Sequence, residues 1–403
     1  MHRFSARSCV DFQSSKLCGI TGAQKIIDTI NSRTFVSRLV LGYNLLQDDG
    51  CEALFDFLCT EEGQRHGIVE ISLNGNGIGP RGLLAICRYL NGNTVLQELF
   101  LQNNCLALDQ TTVSTFAEAL NNSLLSKLAL STNTQLADAF LSLFLSSLDT
   151  PHLQVLHLSA IGLTPLSTPV IIEYLSCRRS RYLNHLNLNG NYLGFSSVLA
   201  IIEAVEKHNH SLAFLEMFAN CFIDGELGII LGQHQDTEPA TQGATGDERT
   251  SIADWQQSHR QLNNILTRNK MSATDTMREA VALLKPARSL LLQSGSRGDV
   301  HGFAQALSPY LPIELQLYVL SFLAPRLSDA QRLRIYQYAS DPGTLPPDPR
   351  QLPRLSRNTP SKSKSSSLLL PNLNNTSEIG SKSKAEERWR YLRIVDCVSK
   401  DPS

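Results

Sequence analysis

The chain has 403 residues, a formal net charge of -1 at pH 7 and 42% hydrophobic residues, enough for two ordinary domains or one elongated domain with appendages. That balance excludes nucleic-acid or membrane-surface binding driven by bulk charge, so neither partner is expected. The nine cysteines are odd in number and contain no C-x-x-C pair, which argues against a disulfide framework and a four-ligand zinc site and for a reducing, cytoplasmic or nuclear setting.

In chain order, residues 1–35 come first, and TGAQKIIDTINSR within them reads as a helix that caps the N-terminal end of the fold. Residues 36–232 hold seven copies of L-x-x-L-x-L-x-x-N-x-L. They are VSRLVLGYNLL from Val36, IVEISLNGNGI from Ile68, LQELFLQNNCL from Leu96, LSKLALSTNTQ from Leu125, LQVLHLSAIGL from Leu153, LNHLNLNGNYL from Leu183 and LAFLEMFANCF from Leu212. The asparagine column reads Asn44, Asn76, Asn104, Asn133, Ile161, Asn191 and Asn220, in steps of 28 to 32 residues. Each copy alternates like a short strand and runs into an amphipathic helical stretch such as GPRGLLAICRYL. One strand and one helix cannot bury their apolar faces alone, so the copies must stack, with a parallel sheet on one side and a row of helices on the other. The asparagine amide is expected to satisfy backbone groups left open where the chain turns off the sheet. The copy with Ile161 must do this differently.

These copies resemble leucine-rich repeats of the long, ribonuclease-inhibitor-like type. The resemblance implies an α/β solenoid, a horseshoe with strands lining its concave face. Side chains between the leucines then project from that face. This makes Arg38, Val40, Tyr43, Glu70, Asn74, Glu98, Phe100, Gln102, Lys127, His157, His185, Asn187 and Glu216 the candidate partner-binding residues.

Gly77, Gly79 and Gly82 spell G-x-G-x-x-G after a strand and before a helix, with Glu98 about twenty residues on, as in a dinucleotide fingerprint. Their register within the repeat is the stronger reading, and no cofactor is expected. No G-x-S-x-G, P-loop, H-E-x-x-H or EF-hand loop occurs. His208 and His210 at a helix end read as solvated, not as metal ligands.

Residues 233–250 read as a flexible loop and 251–300 as a helical cap, expected to bury Phe214 and Phe218. In that cap Leu262, Ile265 and Leu266 form one apolar stripe, and Met277, Val281, Leu284 and Leu291 form another. QLNNILTRN, from Gln261, could be a degenerate last repeat. Residues 301–340 read as a helical hairpin, with Leu317, Leu320, Phe322 and Leu323 on one apolar face, Pro325 as a stop and Ser328 with Gln331 as a capping box. Residues 341–383 form a basic Ser/Pro-rich linker expected to be disordered. A terminal helix over 384–403 carries Trp389, Leu392 and Val395 or Ile394 on one side.

Among repeat proteins of this type are the GTPase activators of Ran, and similarity to them would imply rim loops that order a small GTPase's catalytic machinery. This chain carries a basic, serine-rich tail in place of that family's acidic one. Leu311, Pro312, Glu314, Leu320, Phe322 and Leu323 resemble an F-box helix, which would imply docking to a Skp1-type adaptor. The stretch 311–339 is also similar to tails on fungal proteins of this repeat type. The residues taken together imply a non-enzymatic intracellular scaffold that binds a protein partner, with GTPase activation and ubiquitin-ligase substrate reception as alternatives.

Overall fold

A computed structural model describes residues 8–107, 109–220, 247–292, 312–345 and 387–397, except the side chains of 247–254. The loop expected at 233–250, Leu311 and most of the basic linker lie largely or wholly outside this set. The chain divides into two compact units, Met1–Lys270 and Met271–Ser403.

In the first unit eight strands pair in parallel in chain order. They are β1 (Cys9–Asp11), β2 (Arg38–Val40), β3 (Glu70–Ser72), β4 (Glu98–Phe100), β5 (Lys127–Ala129), β6 (Val155–His157), β7 (His185–Asn187) and β8 (Phe214–Glu216). Between them run α1 (Gly19–Asn31), α2 (Gln47–Leu58), the short α3 (Glu61–Gln64), α4 (Pro80–Leu90), α5 (Gln110–Asn121), α6 (Ala137–Ser147), α7 (Thr168–Ser176) and α8 (Phe195–His208). The central residue of every strand, from Val10 and Leu39 to Leu186 and Leu215, is buried against the helix row, while its neighbours in the strand face away. Each such burial contributes about 1.5–3 kcal/mol, and it is repetition that makes the core.

Strand β1 corrects the reading of residues 1–35 as a cap alone. Val10, Phe12 and Leu17 occupy the leucine positions of an eighth copy, Ser15 stands in the asparagine column, and α1 is that copy's helix. The motif search passes over it because Val, Phe and Ser replace the residues it counts.

The asparagines do what the turn requires. Asn133 Nδ2 donates to the carbonyls of Leu101 (3.0 Å) and Leu130 (2.6 Å), tying one copy to the one before, while its Oδ1 accepts from Asn104 N (2.8 Å). At the copy lacking asparagine, Asn191 of the next copy accepts from the backbone N–H groups of Ile161, Gly162 and Leu163, each at 3.1 Å. The residue before each column position, Ser14, Tyr43, Gly75, Asn103, Thr132, Ala160, Gly190 and Ala219, lies in the left-handed region at φ between 52° and 67°. Non-glycine residues there are held in place by the surrounding bonds.

Helix α9 (Asp247–Leu291) supplies both units. Leu262 and Ile265 are buried in the repeat core, with Trp255 and Leu266 packed on it. Asn269 Nδ2 donates to the carbonyls of Asn209 (3.1 Å) and Leu212 (3.0 Å), closing backbone groups at the end of the sheet. QLNNILTRN is therefore a helical cap and not a further repeat. Phe214 and Phe218 remain 48% and 50% exposed: the cap packs on the core that holds Leu215 and Met217, while Lys270 Nζ stands over the Phe214 ring at 5.6 Å and the His259 ring lies 5.5 Å from that of Phe218.

The second unit has its own core. Ala280, Leu283 and Ala287 of α9 meet Leu320, Ala324 and Leu327, Ile335, Tyr336 and Ala339, and Tyr391, Leu392, Val395 and Cys397. Met277, Val281, Leu284 and Leu291, the expected inner stripe, flank this line and are partly buried. Helices α10 (Ile313–Ser321) and α11 (Asp329–Ser340) form the expected hairpin, and the Ser328–Gln331 capping box is present. Helix α10 stops at Ser321, four residues before Pro325. The apolar face assigned to it needs correction, since Leu320 is 1% exposed but Phe322 and Leu323 are 65% and 52% exposed. On the terminal segment, helical over 387–394, Tyr391 replaces Trp389 as the inward ring, its hydroxyl donating to Ala280 O at 2.8 Å. No helix among the described residues is long and apolar enough to cross a membrane.

Candidate functional site

Because the strands pair without slippage, the residues between the leucines become two continuous rows across the sheet face turned away from the helices. One row runs Cys9, Arg38, Glu70, Glu98, Lys127, Val155, His185, Phe214, and the other Asp11, Val40, Ser72, Phe100, Ala129, His157, Asn187, Glu216. The candidate residues on the strands are thereby brought together. Asn74 and Gln102 extend the pattern just past the strands, where Asn74 Oδ1 accepts from Gln102 N at 2.9 Å. Tyr43 does not stand in either row: it sits in the left-handed turn position, its ring against Gly75, where an added Cβ would lie 3.0 Å from Cδ1.

The two ends of this face differ in chemistry. On β2 and β3 the charges are paired, Arg38 with Glu70 at 2.7 Å, and a second pair, Lys127 with Glu98 at 3.7 Å, lies mid-sheet on β5 and β4. From β4 onward rings dominate. Lys127 Nζ lies 4.8 Å from the Phe100 ring centre, His157 and His185 are 5.0 Å apart centre to centre, and His185 and Phe214 are 5.4 Å apart. Glu216 organises the end of the strip. His185 Nε2 lies 3.0 Å from Glu216 Oε1, and Asn187 and Asn189 donate to Oε2 at 2.7 and 2.9 Å. One carboxylate thus fixes three side chains, so their positions are set before any partner arrives.

His157 is held below the ordinary histidine range, first by burial and then by His185 and Lys127, against the opposing pull of Glu216. Its lowered folded value means that, as pH falls below the ordinary 6.5, the unfolded chain binds a proton there before the folded chain does. Stability is therefore full above that pH and declines as pH drops towards the folded value. His66, also lowered by burial, acts in the same direction. Thermal melts between about pH 7.5 and 5.5 are expected to show this decline, and His157→Gln to make it shallower. An unchanged slope in that variant would assign the whole effect to His66 and other groups.

The G-x-G-x-x-G stretch is filled from within. Asp48 Oδ1, from the preceding copy, accepts from Gly79 N at 2.6 Å and Gly82 N at 2.9 Å, taking amides that a phosphate would need. A Cβ on Gly82 would fall 2.8 Å from that same oxygen, so the glycine serves the carboxylate's approach. No group of three or more His, Cys, Asp or Glu side chains able to hold a metal converges among the described residues.

No protein-family model matches the chain. Human NACHT, LRR and PYD domains-containing protein 5 is 32% identical over 205 residues, covering 49% of this chain and 16% of that protein. The mouse protein of the same name is 27% identical over 214 residues, covering 51% of this chain and 18% of its own length. The eight-stranded parallel sheet and these relatives agree. The fold is that of a leucine-rich-repeat solenoid. Among solved structures, the leucine-rich-repeat chain shows weak similarity to a tropomodulin C-terminal domain from Caenorhabditis elegans (TM-score 0.31, 16% identity, 47% of this chain and 93% of that one). A second is Leiomodin-1 actin-binding site 2 (TM-score 0.30, 15% identity, 47% and 88%).

Proposed function

We propose that this chain is a non-enzymatic scaffold of the cytoplasm or nucleus whose open sheet face binds a protein partner through Phe100, Lys127, His157, His185 and Phe214. The observation that carries this reading is the run of ring contacts from His157 through His185 to Phe214 on the sheet face turned away from the helices, ended by two phenylalanines, Phe214 and Phe218, that stay half-exposed beside the cap. Exposed aromatics in a pre-set polar frame are the usual anchors of protein interfaces. The paired charges on β2 and β3 supply specificity more than affinity.

The test is affinity purification with the full chain and with a Phe100→Ala/Phe214→Ala variant. A specific partner should bind the variant at least about tenfold more weakly. A partner recovered equally by both forms would move the site off this face. If that partner were a small GTPase whose hydrolysis the full chain accelerates, the scaffold reading would give way to activation.

A further inference from the structure

Helix α10 is apolar on two sides. Leu320 and the partly buried Leu317, with Ala324 and Leu327 beyond its end, meet the core of the second unit. On the other side Leu315, Tyr318, Val319, Phe322 and Leu323 recur at three- and four-residue spacing, and all are exposed, Tyr318 by 62% and Phe322 by 65%. The Tyr318 and Phe322 rings meet edge to face with centres 4.9 Å apart, so they present one block. No charged residue occurs between Leu315 and Pro325. Apart from Glu314, Gln316 and Ser321 the helix is apolar; its buried side carries Gln316 and Leu320, and a second apolar side exposed to water needs cover of its own.

Size and symmetry point to what covers the other half. The two rings offer about 150–250 Å² each; with the half-exposed Ile313, Leu315, Val319 and Leu323, the face leaves on the order of 500 Å² of apolar surface uncovered, the upper end for a monomer. Two such faces together would remove about 1,000 Å², the lower limit for a specific interface. An uncharged stripe is complementary to itself, as a two-fold contact requires. Its flanks are complementary as well. The exposed Glu314 begins the helix, and Arg326, held from one side by Asp275 and Glu279, lies just past its end. Antiparallel pairing sets each Glu314 toward Arg326 of the other copy, whereas parallel pairing would set Glu314 against Glu314.

We infer that α10 pairs antiparallel with α10 of a second copy of this chain, making the protein a homodimer through its second unit. This surface is separate from the sheet face proposed for the partner, so either assignment can fail without the other.

Sedimentation equilibrium on the full chain tests it. The expected mass at micromolar concentration is twice the 44.5 kDa of one chain. Phe322→Glu, at an exposed position, should raise the dimer dissociation constant at least about a hundredfold while leaving helix content unchanged, and should lower Tm only at concentrations where the unsubstituted chain is dimeric. Tyr318→Glu serves as the second variant and should do the same. A chain that is monomeric at about 100 μM, or a dimer indifferent to both variants, overturns the proposal. So does a monomer that binds a Skp1-type adaptor through Phe322, or one in which Phe322→Glu lowers Tm because the chain's own residues cover the face.

Discussion

Asn191→Ala is expected to lower the stability of the leucine-rich-repeat unit by about 4 kcal/mol, with a fall in Tm on the order of 10 °C in a calorimetric scan. The size reflects how many groups the side chain serves. Its Oδ1 accepts from three backbone N–H groups, those of Ile161, Gly162 and Leu163. Its Nδ2 donates to Leu158 O at 3.0 Å and Leu188 O at 2.9 Å. Alanine would leave these groups buried without that partner, and each unmet group costs about 1–3 kcal/mol, partly recovered by local relaxation. Asn220→Ala should cost less, about 1–2 kcal/mol, because its amide donates to Leu188 O and Phe218 O while its Oδ1 has no donor among the described residues. Equal losses in the two variants would show that Ile161's turn does not depend on the neighbouring copy.

The same column shows what was legible in the sequence. Leucines and asparagines recur because every copy poses the same packing and turn problem, so the repeat, its parallel sheet and the rows on its open face could all be read by alignment. The first copy could not, because Val10, Phe12 and Ser15 meet those demands with other residue types. Nor could the left-handed turn position be read. It is filled by Tyr43, Thr132, Ala160 and Ala219 as well as glycine, and the local preference is overridden by ladder bonds such as Tyr43 N to Asn74 O at 2.6 Å. At the candidate site, the residues of the strip were legible but their coupling was not. Glu216, one residue in a column, proves to fix His185, Asn187 and Asn189 because the register places them around its carboxylate. The half-exposure of Phe214 and Phe218 was also beyond periodicity, since it depends on where the cap's stripe lands along the last strand.

Leu320→Glu should abolish the cooperative unfolding of the second unit while leaving the repeat unit folded. The expected apolar face of α10 joins Leu320 and Phe322, although residues two apart fall on opposite sides of a helix, and Leu320 would then serve to probe adaptor docking. The structure separates them. Leu320, 1% exposed, is enclosed with Ala280, Leu283, Ile335 and Tyr391 in the core that joins α9, the hairpin and the terminal segment. An ionised carboxylate there has no cation to meet among those core side chains and would cost about 4 kcal/mol or more. A core of this size offers little reserve against such a loss. The repeat unit keeps its own core, in which α9 contributes Leu262 and Ile265. Scanning calorimetry with limited proteolysis should therefore show the repeat transition unchanged, the second transition gone, and cleavage concentrated after Met271. Loss of both transitions together would mean that the two cores melt as one cooperative unit through the helix they share. Retention of both would mean that the hairpin does not depend on the face that buries Leu320.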